Sequence, residues 1–310
     1  MFVLAMWVYL AGAAECGSGA DTAEVLSQSG VKMFRNEEGQ ITHLQFRGVE
    51  NTDSNLACVK KLNHLEILDL DNSRVTDSGM AHVAVLKQLK KLLLVNTLIS
   101  DAGVIHVKEL VNLQMLEIGD TRITDAALPN LRGLENLEKL LLYRTKITDA
   151  GLIHLKGLKK LAVLHFAETN LTDAGCKHLH GHTNLWRLSL YGTQVTNAGL
   201  TCVKRMQKLT MLDIGQTNIT DDGLMILLGL KKLDNLAIYN TVISDSGLTH
   251  LAKLKTLERL GLKGTQITDV GLVQLRKLSN LKSLQLERTR VTAAGVAELR
   301  KALPGCKITH

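Results

Sequence analysis

Side chains that could bind a ligand recur in this chain at multiples of 24 residues. Tyr143, Tyr191 and Tyr239 are spaced 48 residues apart, and His165 and Asp213, also 48 residues apart, fall between them. Aromatic and arginine side chains bury large areas with few rotatable bonds, so they dominate binding surfaces. We therefore predict a binding surface whose residues are Tyr143, His165, Arg187, Tyr191, Asp213, Tyr239 and Arg259, with Lys139 and Arg144 around it.

Inheritance could also produce this spacing. The segments LQMLEIGDT and LTMLDIGQT match each other, as expected if a 48-residue double repeat had been duplicated. Duplication explains how the spacing arose but does not explain why the tyrosines should face solvent. Binding and inherited decoration therefore both stay open for the tyrosines.

Histidine and cysteine form a second recurrent set with metal-ligating chemistry: Cys58, His82, His106, His154, His178, Cys202 and His250. Zinc needs ligands within about 2.0–2.3 Å of one point, whereas neighbouring helices are about 8–10 Å apart. A local H-x-H-x-H at residues 178–182 could hold adventitious nickel or zinc. We predict no physiological metal ligands and no cofactor.

The sequence lacks the common catalytic motifs. It contains no G-x-S-x-G, P-loop, G-x-G-x-x-G or H-E-x-x-H pattern. Its repeats also carry no insertion that could form a lid and exclude water from chemistry. We therefore predict no catalytic residues and no enzymatic activity.

The repeats that must position these residues have an unbroken period of 24 from Ile41 to Pro304. Each unit approximates L-x-x-L-x-L-x-x-T-x-I-T-D-x-G-L-x-x-L-x-x-L-x-x, numbered here as positions 1 to 24. Eleven units begin at Ile41, Leu65, Leu89, Leu113, Leu137, Leu161, Leu185, Leu209, Leu233, Leu257 and Leu281. A fixed period of about 20–29 residues with this leucine spacing is typical of a leucine-rich-repeat solenoid.

Each unit predicts a strand, a turn and a short helix. Positions 1 to 6 alternate apolar and polar residues as a strand does, and the leucines at positions 16, 19 and 22 line one helix face. In the unit that begins at Leu137, Thr148 should cap the helix, and Asp149 should be stabilised by the partial positive charge of the helix N-terminus. Asn55 and Ala127 replace the glycine of position 15 in two repeats, so this glycine reflects a preference for tight packing rather than an absolute backbone requirement.

Stacked units predict the α/β class, as a right-handed horseshoe with a concave parallel sheet and convex helices. We assign residues 1–14 to a signal peptide, 15–40 to an N-terminal cap with a helix and a hairpin strand, 41–304 to eleven repeats and 305–310 to a C-terminal cap. The apolar run MFVLAMWVYLAGAA is shorter than the about 20 residues of a membrane span and ends in small residues, but it lacks a basic start. An altered start or an uncleaved anchor therefore remain alternatives.

Charge indicates a further candidate partner. The chain has a formal net charge of +7, and the cations of position 20 should form a stripe along the convex edge: Lys60, Lys108, Arg132, Lys156, Lys204, Arg276 and Arg300. Such a stripe keeps the surface soluble, and it could also attract an anionic surface polymer such as a glycan or lipid. Specific nucleic-acid binding is not expected, because the tyrosines and these cations would lie on opposite faces.

The form T-x-[IV]-T-D-A-G-L-x-H-L-x-x-L resembles the leucine-rich-repeat proteins secreted or held in the envelope by bacteria such as planctomycetes. It also resembles the repeat arrays of F-box leucine-rich-repeat proteins, but only forty residues precede Ile41 and no F-box is present. The bacterial resemblance implies a secreted or envelope protein that binds a protein or peptide, and we expect a monomer. An intracellular, cytoplasmic adaptor or inhibitor is the alternative.

Cysteine spacing does not decide between these compartments. Cys58, Cys176, Cys202 and Cys306 lie far apart in sequence and form no C-x-x-C pair. We predict that all four are small buried or half-buried thiols.

Overall fold

A computed structural model describes residues 19–48 and 52–310 of the chain. The predicted signal peptide, residues 1–14, lies outside the described residues, as does the beginning of the predicted N-terminal cap. The strands are β1 Lys32–Arg35, β2 Ile41–Gln45, β3 Ile67–Asp69, β4 Lys91–Leu93, β5 Met115–Glu117, β6 Lys139–Leu141, β7 Val163–His165, β8 Arg187–Ser189, β9 Met211–Asp213, β10 Asn235–Ala237, β11 Arg259–Gly261, β12 Ser283–Gln285 and β13 Lys307–Thr309.

These strands form one sheet of 13 in chain order. β1 pairs antiparallel with β2 as a hairpin, and every later pair is parallel. The register places each residue beside its equivalent 24 positions later, so Leu140 pairs with Leu164 and Leu164 with Leu188. The predicted α/β solenoid with a parallel sheet is therefore confirmed.

Short helices form the opposite, convex side. The α-helices are α1 Gly19–Gln28, α2 Thr52–Leu56, α3 Asp77–Val83, α4 Asp101–Val104, α5 Asp173–Cys176, α6 Asn197–Leu200, α7 Asp245–Leu251, α8 Asp269–Leu275 and α9 Ala293–Ala302. The 3₁₀ segments are Ala57–Lys61, Ile105–Glu109, Asp125–Leu131, Gly151–Leu155, Lys177–Gly181, Thr201–Arg205 and Asp221–Gly229. Leucines three residues apart suit the 3₁₀ form, which has three residues per turn. Within the described residues, every helix falls short of the length and apolarity that a bilayer-spanning segment needs.

The core lies between the sheet and the helices. Seven positions of a repeat are inward and fully buried, as shown by Leu137, Leu140, Leu142, Ile147, Leu152, Leu155 and Leu158 at 0% exposure. Each such side chain stabilises the fold by about 1.5–3 kcal/mol when fully buried. Since no repeat can cover its own seven, neighbouring repeats must stack.

Aspartates at position 13 link each repeat to the next. Asp245 accepts hydrogen bonds from the backbone N–H of Thr268 at 2.8 Å and from its hydroxyl at 2.6 Å. The same two bonds join Asp53 to Thr76, Asp77 to Ser100, Asp101 to Thr124, Asp125 to Thr148, Asp149 to Thr172, Asp173 to Thr196, Asp221 to Ser244 and Asp269 to Thr292. We call this series the Asp–Thr ladder.

The predicted threonine cap is also present: the Thr148 hydroxyl accepts from the Ala150 N–H at 3.3 Å. The hydroxyl therefore bonds to its own helix while it donates to the aspartate of the preceding repeat. Sequence reasoning gave Asp149 only a local role at its own helix N-terminus. Its carboxylate in fact also contacts the following repeat, at Thr172.

The ladder explains the glycine at position 15. A Cβ added to Gly271 would lie 2.2 Å from Asp245 Oδ1, so the ladder aspartate occupies the space that a side chain would need. In the first repeat Asn55 replaces this glycine, and there the Ser29 hydroxyl of the N-terminal cap donates to Asn55 Oδ1 at 3.0 Å instead. Ala127 shows that one methyl group is tolerated in an interior repeat.

One rung of the ladder is neutral. Asn197 replaces the aspartate between repeats 7 and 8; its Oδ1 accepts from the Thr220 N–H at 3.0 Å, and its Nδ2 donates to the Thr220 hydroxyl at 2.7 Å. The Thr220 hydroxyl makes no capping bond to its own helix, unlike the other ladder threonines. Because hydrogen bonds to a carboxylate are stronger than those to an amide, this rung is weaker than its neighbours.

The cysteines correct one prediction. Cys176, Cys202 and Cys306 are free and buried, as expected, but Cys58 is disulfide-bonded. The prediction for Cys58 was wrong because it rested on the wide sequence separation of Cys58, Cys176, Cys202 and Cys306 within the repeats. Cys58 lies in the Ala57–Lys61 segment, which packs against α1 of the N-terminal cap and so has neighbours that no other repeat has. The fifth cysteine, Cys16, lies outside the described residues.

We expect Asp245→Ala to destabilise the protein by about 1–3 kcal/mol, because it leaves the Thr268 N–H and hydroxyl without their acceptor. Ala293→Asp is the matched control: it restores an aspartate at position 13 of the last repeat, where no described residue takes the place that Thr268 has beside Asp245. Urea denaturation should show a lower midpoint for the first variant and no loss for the second. Equal midpoints for Asp245→Ala and the unmodified protein would contradict a stabilising ladder.

His182 occupies an inward leucine position, is 1% exposed and has no hydrogen-bond partner for either ring nitrogen. Burial, assisted by the nearby Lys159 ammonium, lowers the pKa of His182 from 6.5 to about 4. The unfolded chain therefore binds a proton that the folded protein does not, and stability falls as the pH drops from 6.5 towards 4.

We expect His182→Leu to raise the free energy of unfolding by about 1–3 kcal/mol at pH 7, because an unsatisfied polar group leaves the core. The gain should grow as the pH falls from 6.5 towards 4. Urea denaturation across this pH range measures it, with the exposed His64→Leu as the control. A gain that stays constant with pH would contradict the lowered pKa.

Candidate ligand-binding site on the concave face

The concave face is formed by positions 3 and 5 on the strands and by positions 7 and 8 on the turn that follows. Because the strands are parallel and in register, His165 is paired with Ser189, and Ser189 with Asp213, on three consecutive strands. Adjacent strands are about 4.8 Å apart, so these three side chains form a continuous row. The row lies beside the tyrosines of position 7.

The turn has a fixed backbone form that carries the edge of this face. Position 8 is left-handed in every repeat, either as glycine or as another residue, with φ of 51° at Arg144, 57° at Glu168 and 50° at Gln216. Arg144 and Glu168 are therefore presented side by side and form an ion pair at 3.0 Å. Both side chains are largely exposed, so this pair contributes at most about 1 kcal/mol.

The three tyrosine rings do not point in the same direction. The ring of Tyr143 lies over Gly119 of the preceding repeat, where a Cβ would be 2.6 Å from Cε1. The ring of Tyr239 lies over Gly261 of the following repeat, and its hydroxyl donates to Gln285 Oε1 one repeat further on. The outer rings thus lean away from the centre of the site.

The central tyrosine, Tyr191, is held against the turn of the following repeat. The Tyr191 hydroxyl donates to Gln216 Oε1 at 2.8 Å, which holds the ring beside the turn of repeat 8. Small residues separate the three rings at position 7, Ala167 on one side of Tyr191 and Gly215 on the other. The surface between the rings is therefore not filled by side chains.

Two connected depressions result. One, of about 390 Å³, is lined by Tyr143, Arg144, His165, Ala167, Glu168, Tyr191, Asp213 and Tyr239. The other, of about 220 Å³, shares His165, Asp213 and Tyr239 and adds Arg187, Ser189, Asn235 and residues of the strands beneath. We call them together the tyrosine pocket. A further depression of about 380 Å³ extends from Tyr191 and Tyr239 to Lys263, Gln285 and Glu287.

The pocket floor contains one neutral base and one acid. Burial, together with the Arg187 guanidinium, lowers the pKa of His165 to about 4, so its imidazole is neutral at pH 7. Its ring lies 5.0 Å from that of Tyr143, centroid to centroid. Burial raises the pKa of Asp213 above its usual value, although the Gly215 N–H, at 3.0 Å from Oδ1, and then Arg187 act in the opposite direction.

Ser189, between these two residues, is 3% exposed and its hydroxyl has no hydrogen-bond partner in the described part of the chain. A buried hydroxyl without a partner costs about 1–3 kcal/mol, a cost that is usually avoided. The floor of the pocket therefore retains unused hydrogen-bonding capacity beside His165 and Asp213.

The structure brings together six of the seven predicted residues: Tyr143, His165, Arg187, Tyr191, Asp213 and Tyr239. Arg259 is exposed on β11 and lines neither depression of the tyrosine pocket. Sequence reasoning missed Ser189, Asn235, Glu168, Gln216 and Gln285. Ser189 could have been found by following position 5 through consecutive repeats, since it falls between His165 and Asp213.

The histidine column of position 18 is on the convex flank, away from the pocket. The H-x-H-x-H run does not present three ligands to one point, because His182 is buried in the core while the His180 Nδ1 contacts the Lys177 carbonyl oxygen at 2.8 Å. Over residues 19–48 and 52–310, no group of three or more histidine, cysteine or acidic side chains is arranged to hold a metal ion.

Fold and pocket together define a solenoid repeat protein with an open concave sheet. A family model described as leucine rich repeat matches residues 61–84 and 205–228, within the 24-residue period seen throughout. The chain is a leucine-rich-repeat protein. No curated protein matches its sequence significantly.

Solved structures share the fold at low sequence identity. An internalin from Listeria monocytogenes is 19% identical, with 94% of each chain covered and a TM-score of 0.61. A leucine-rich-repeat protein of Leptospira interrogans is 19% identical over 82% of this chain and 74% of its own, with a TM-score of 0.52. The ectodomain of an Arabidopsis thaliana membrane receptor kinase is 15% identical over 87% of this chain and 44% of its own, with a TM-score of 0.51. At these identities the likeness concerns the fold.

We expect Asp213→Asn to raise the urea midpoint at pH 7. Because the pKa of Asp213 is raised in the folded state, the protein loses stability as the pH rises and this carboxyl group ionises. The asparagine amide does not ionise, so the variant avoids this loss. The gain over the unmodified protein should therefore shrink as the pH falls below the pKa of Asp213. Glu135→Gln, at an exposed site, is the control, and a lower midpoint for Asp213→Asn would contradict the effect of burial.

Proposed function

We propose that the protein is a non-enzymatic scaffold that binds a protein or peptide ligand on its concave face, centred on repeats 5 to 9. The observation that carries the proposal is the tyrosine pocket, in which three half-buried rings surround a polar floor on an otherwise regular sheet. Tyrosines with one apolar face and one hydroxyl are favoured where a partner is both packed and hydrogen-bonded. The side chains already hold defined positions through Gln216 and Gln285, which lowers the entropy lost on binding.

The shape of the site favours an extended or protruding ligand. From Tyr143 to Tyr239 the site crosses four strand spacings, or about 19 Å. The third depression continues the same groove towards Glu287. A groove of this length accommodates several residues of a peptide or a loop, and the rest of the concave sheet can supply the area of about 800 Å² per partner that is typical of a stable interface.

The row His165, Ser189 and Asp213 has residue types found in hydrolases but not their order in space. A nucleophile relay needs histidine between serine and aspartate, so that the ring can bond to both. Here serine is in the middle, and histidine and aspartate are two strands, or about 10 Å, apart. This arrangement supports recognition rather than catalysis.

We further propose that the protein is exported, as a secreted or envelope component. The disulfide at Cys58 supports this, because disulfides persist mainly in oxidising compartments. The apolar segment at residues 1–14 is consistent with the same route. Within the envelope, the exposed position-20 cations would face anionic surface polymers.

We expect replacement of Tyr143, Tyr191 and Tyr239 by alanine to weaken binding of the ligand by at least about 100-fold, since interface aromatic residues often contribute about 2 kcal/mol or more each. The ligand would be captured with the full chain from secreted and envelope fractions, purified and titrated by calorimetry.

The matched control removes three exposed apolar side chains from the convex helices: Ile105→Ala, Ile153→Ala and Met225→Ala. The control should bind as tightly as the unmodified protein. Equal affinity of the tyrosine variant and the control would overturn the proposed binding face. Circular dichroism and urea midpoints verify that both variants are folded.

A further inference from the structure

The depression of about 390 Å³ that Tyr191 and Tyr239 line also reaches the half-buried acid Asp213. Gly215 stands between the two tyrosines at position 7 and leaves little room for a side chain, since a Cβ there would lie 3.0 Å from Tyr191 Cδ2 and 3.1 Å from the Tyr239 backbone. Two residues earlier on the same repeat is Asp213, whose Oδ1 accepts from the Gly215 N–H at 3.0 Å. The acid therefore lies at the base of a depression that both tyrosines line, which we call the slot.

The carboxylate in this slot is incompletely compensated. Among the described residues, Asp213 Oδ2 has no hydrogen-bond donor, and no cationic side chain lies within ion-pair distance of Asp213. Arg187 is near enough to act on the Asp213 charge, but it is exposed and thus solvated by water. Asp213 also raises the pKa of Tyr239, after the larger effect of burial, so its negative field reaches the pocket wall.

Other charges do not alter this balance. His165 is neutral at pH 7, and Arg144 and Glu168 neutralise each other in an ion pair at the rim. An anionic ligand group would have to be desolvated beside a half-buried carboxylate, which is costly. A cation would gain the carboxylate and the negative faces of the tyrosine rings, and a ring contact of this type is stronger when water is excluded.

We infer that the slot receives an arginine or lysine side chain of the ligand, with the Asp213 carboxylate as its counter-ion and with Tyr191 and Tyr239 beside it. This inference rests on the proposed function, because it specifies the chemistry of one ligand residue. The cation donates to Asp213 Oδ2.

Small blocked amino acids test the slot without knowledge of the natural ligand. The probes are the N-acetyl N-methylamides of arginine, lysine, citrulline and aspartate, titrated into the full chain and followed by NMR at Tyr191 and Tyr239. Citrulline has nearly the shape of arginine without its charge, and the arginine and lysine arms distinguish the two sources of the cation. We expect saturable shifts with arginine, lysine or both, and at least tenfold weaker binding of citrulline and aspartate.

The variants locate the counter-ion. Asp213→Asn should reduce binding of the cationic probe at least tenfold, to the level of citrulline. Glu117→Gln is the matched control: it removes another half-buried acid of position 5, four repeats away and outside the tyrosine pocket, and should leave probe affinity unchanged. Equal binding of arginine and citrulline, preference for aspartate, or full binding by Asp213→Asn would each overturn the inference.

The two proposals fail separately. If the purified ligand of the tyrosine experiment depends on the three tyrosines but not on Asp213, the concave binding face stands and the cation slot is wrong. If the cationic probe binds through Asp213 while the tyrosine variant captures every ligand normally, the slot exists but the proposed function is wrong.

Discussion

The bond from each position-13 carboxylate to the next repeat's threonine is the interaction on which the rest of the structure depends. The leucines provide most of the stabilising free energy, but hydrophobic burial is not directional and does not by itself fix how one repeat sits on another. The Asp–Thr ladder does so, because a carboxylate that accepts two hydrogen bonds tolerates little displacement. It sets the rotation and rise between repeats, and it requires the glycine that lets the carboxylate approach.

That fixed register is what creates a site from scattered residues. Tyr143 and Tyr239 are far apart in sequence, yet one pocket contains both because equivalent positions stack on parallel strands. The shape of the binding site then depends on which of the stacked positions carry glycine. Gly119 and Gly261 let the outer rings lie flat and away from the centre, and Gly215 leaves room for the Tyr191 ring beside it. Recognition in this fold is thus controlled by the absence of side chains as much as by their presence.

Much of the fold and of the site was predictable from the sequence, because a strict 24-residue period determines which residues of neighbouring repeats lie side by side. The strands, the buried leucines, the threonine caps and the grouping of Tyr143, His165 and Asp213 all follow from it. The reach of Asp149 into the next repeat was not predictable, since its own helix N-terminus offered a sufficient local reason for an acid. The directions of the tyrosine rings were not predictable either, because they depend on which residues occupy both position 5 and position 7 of neighbouring repeats. Cys58 was misjudged because the period says nothing about the cap, where its neighbours differ from those of every other repeat.

The position of the single amide link relates the ladder to the binding site. Among the links of the Asp–Thr ladder, the one from Asn197 to Thr220, between repeats 7 and 8, lacks the charge that strengthens the others. Arg187, Ser189 and Tyr191 belong to the repeat before it, and Asp213 belongs to the repeat after it. The one amide link of the ladder therefore divides the tyrosine pocket itself, with Tyr191 on one side of it and Asp213 on the other.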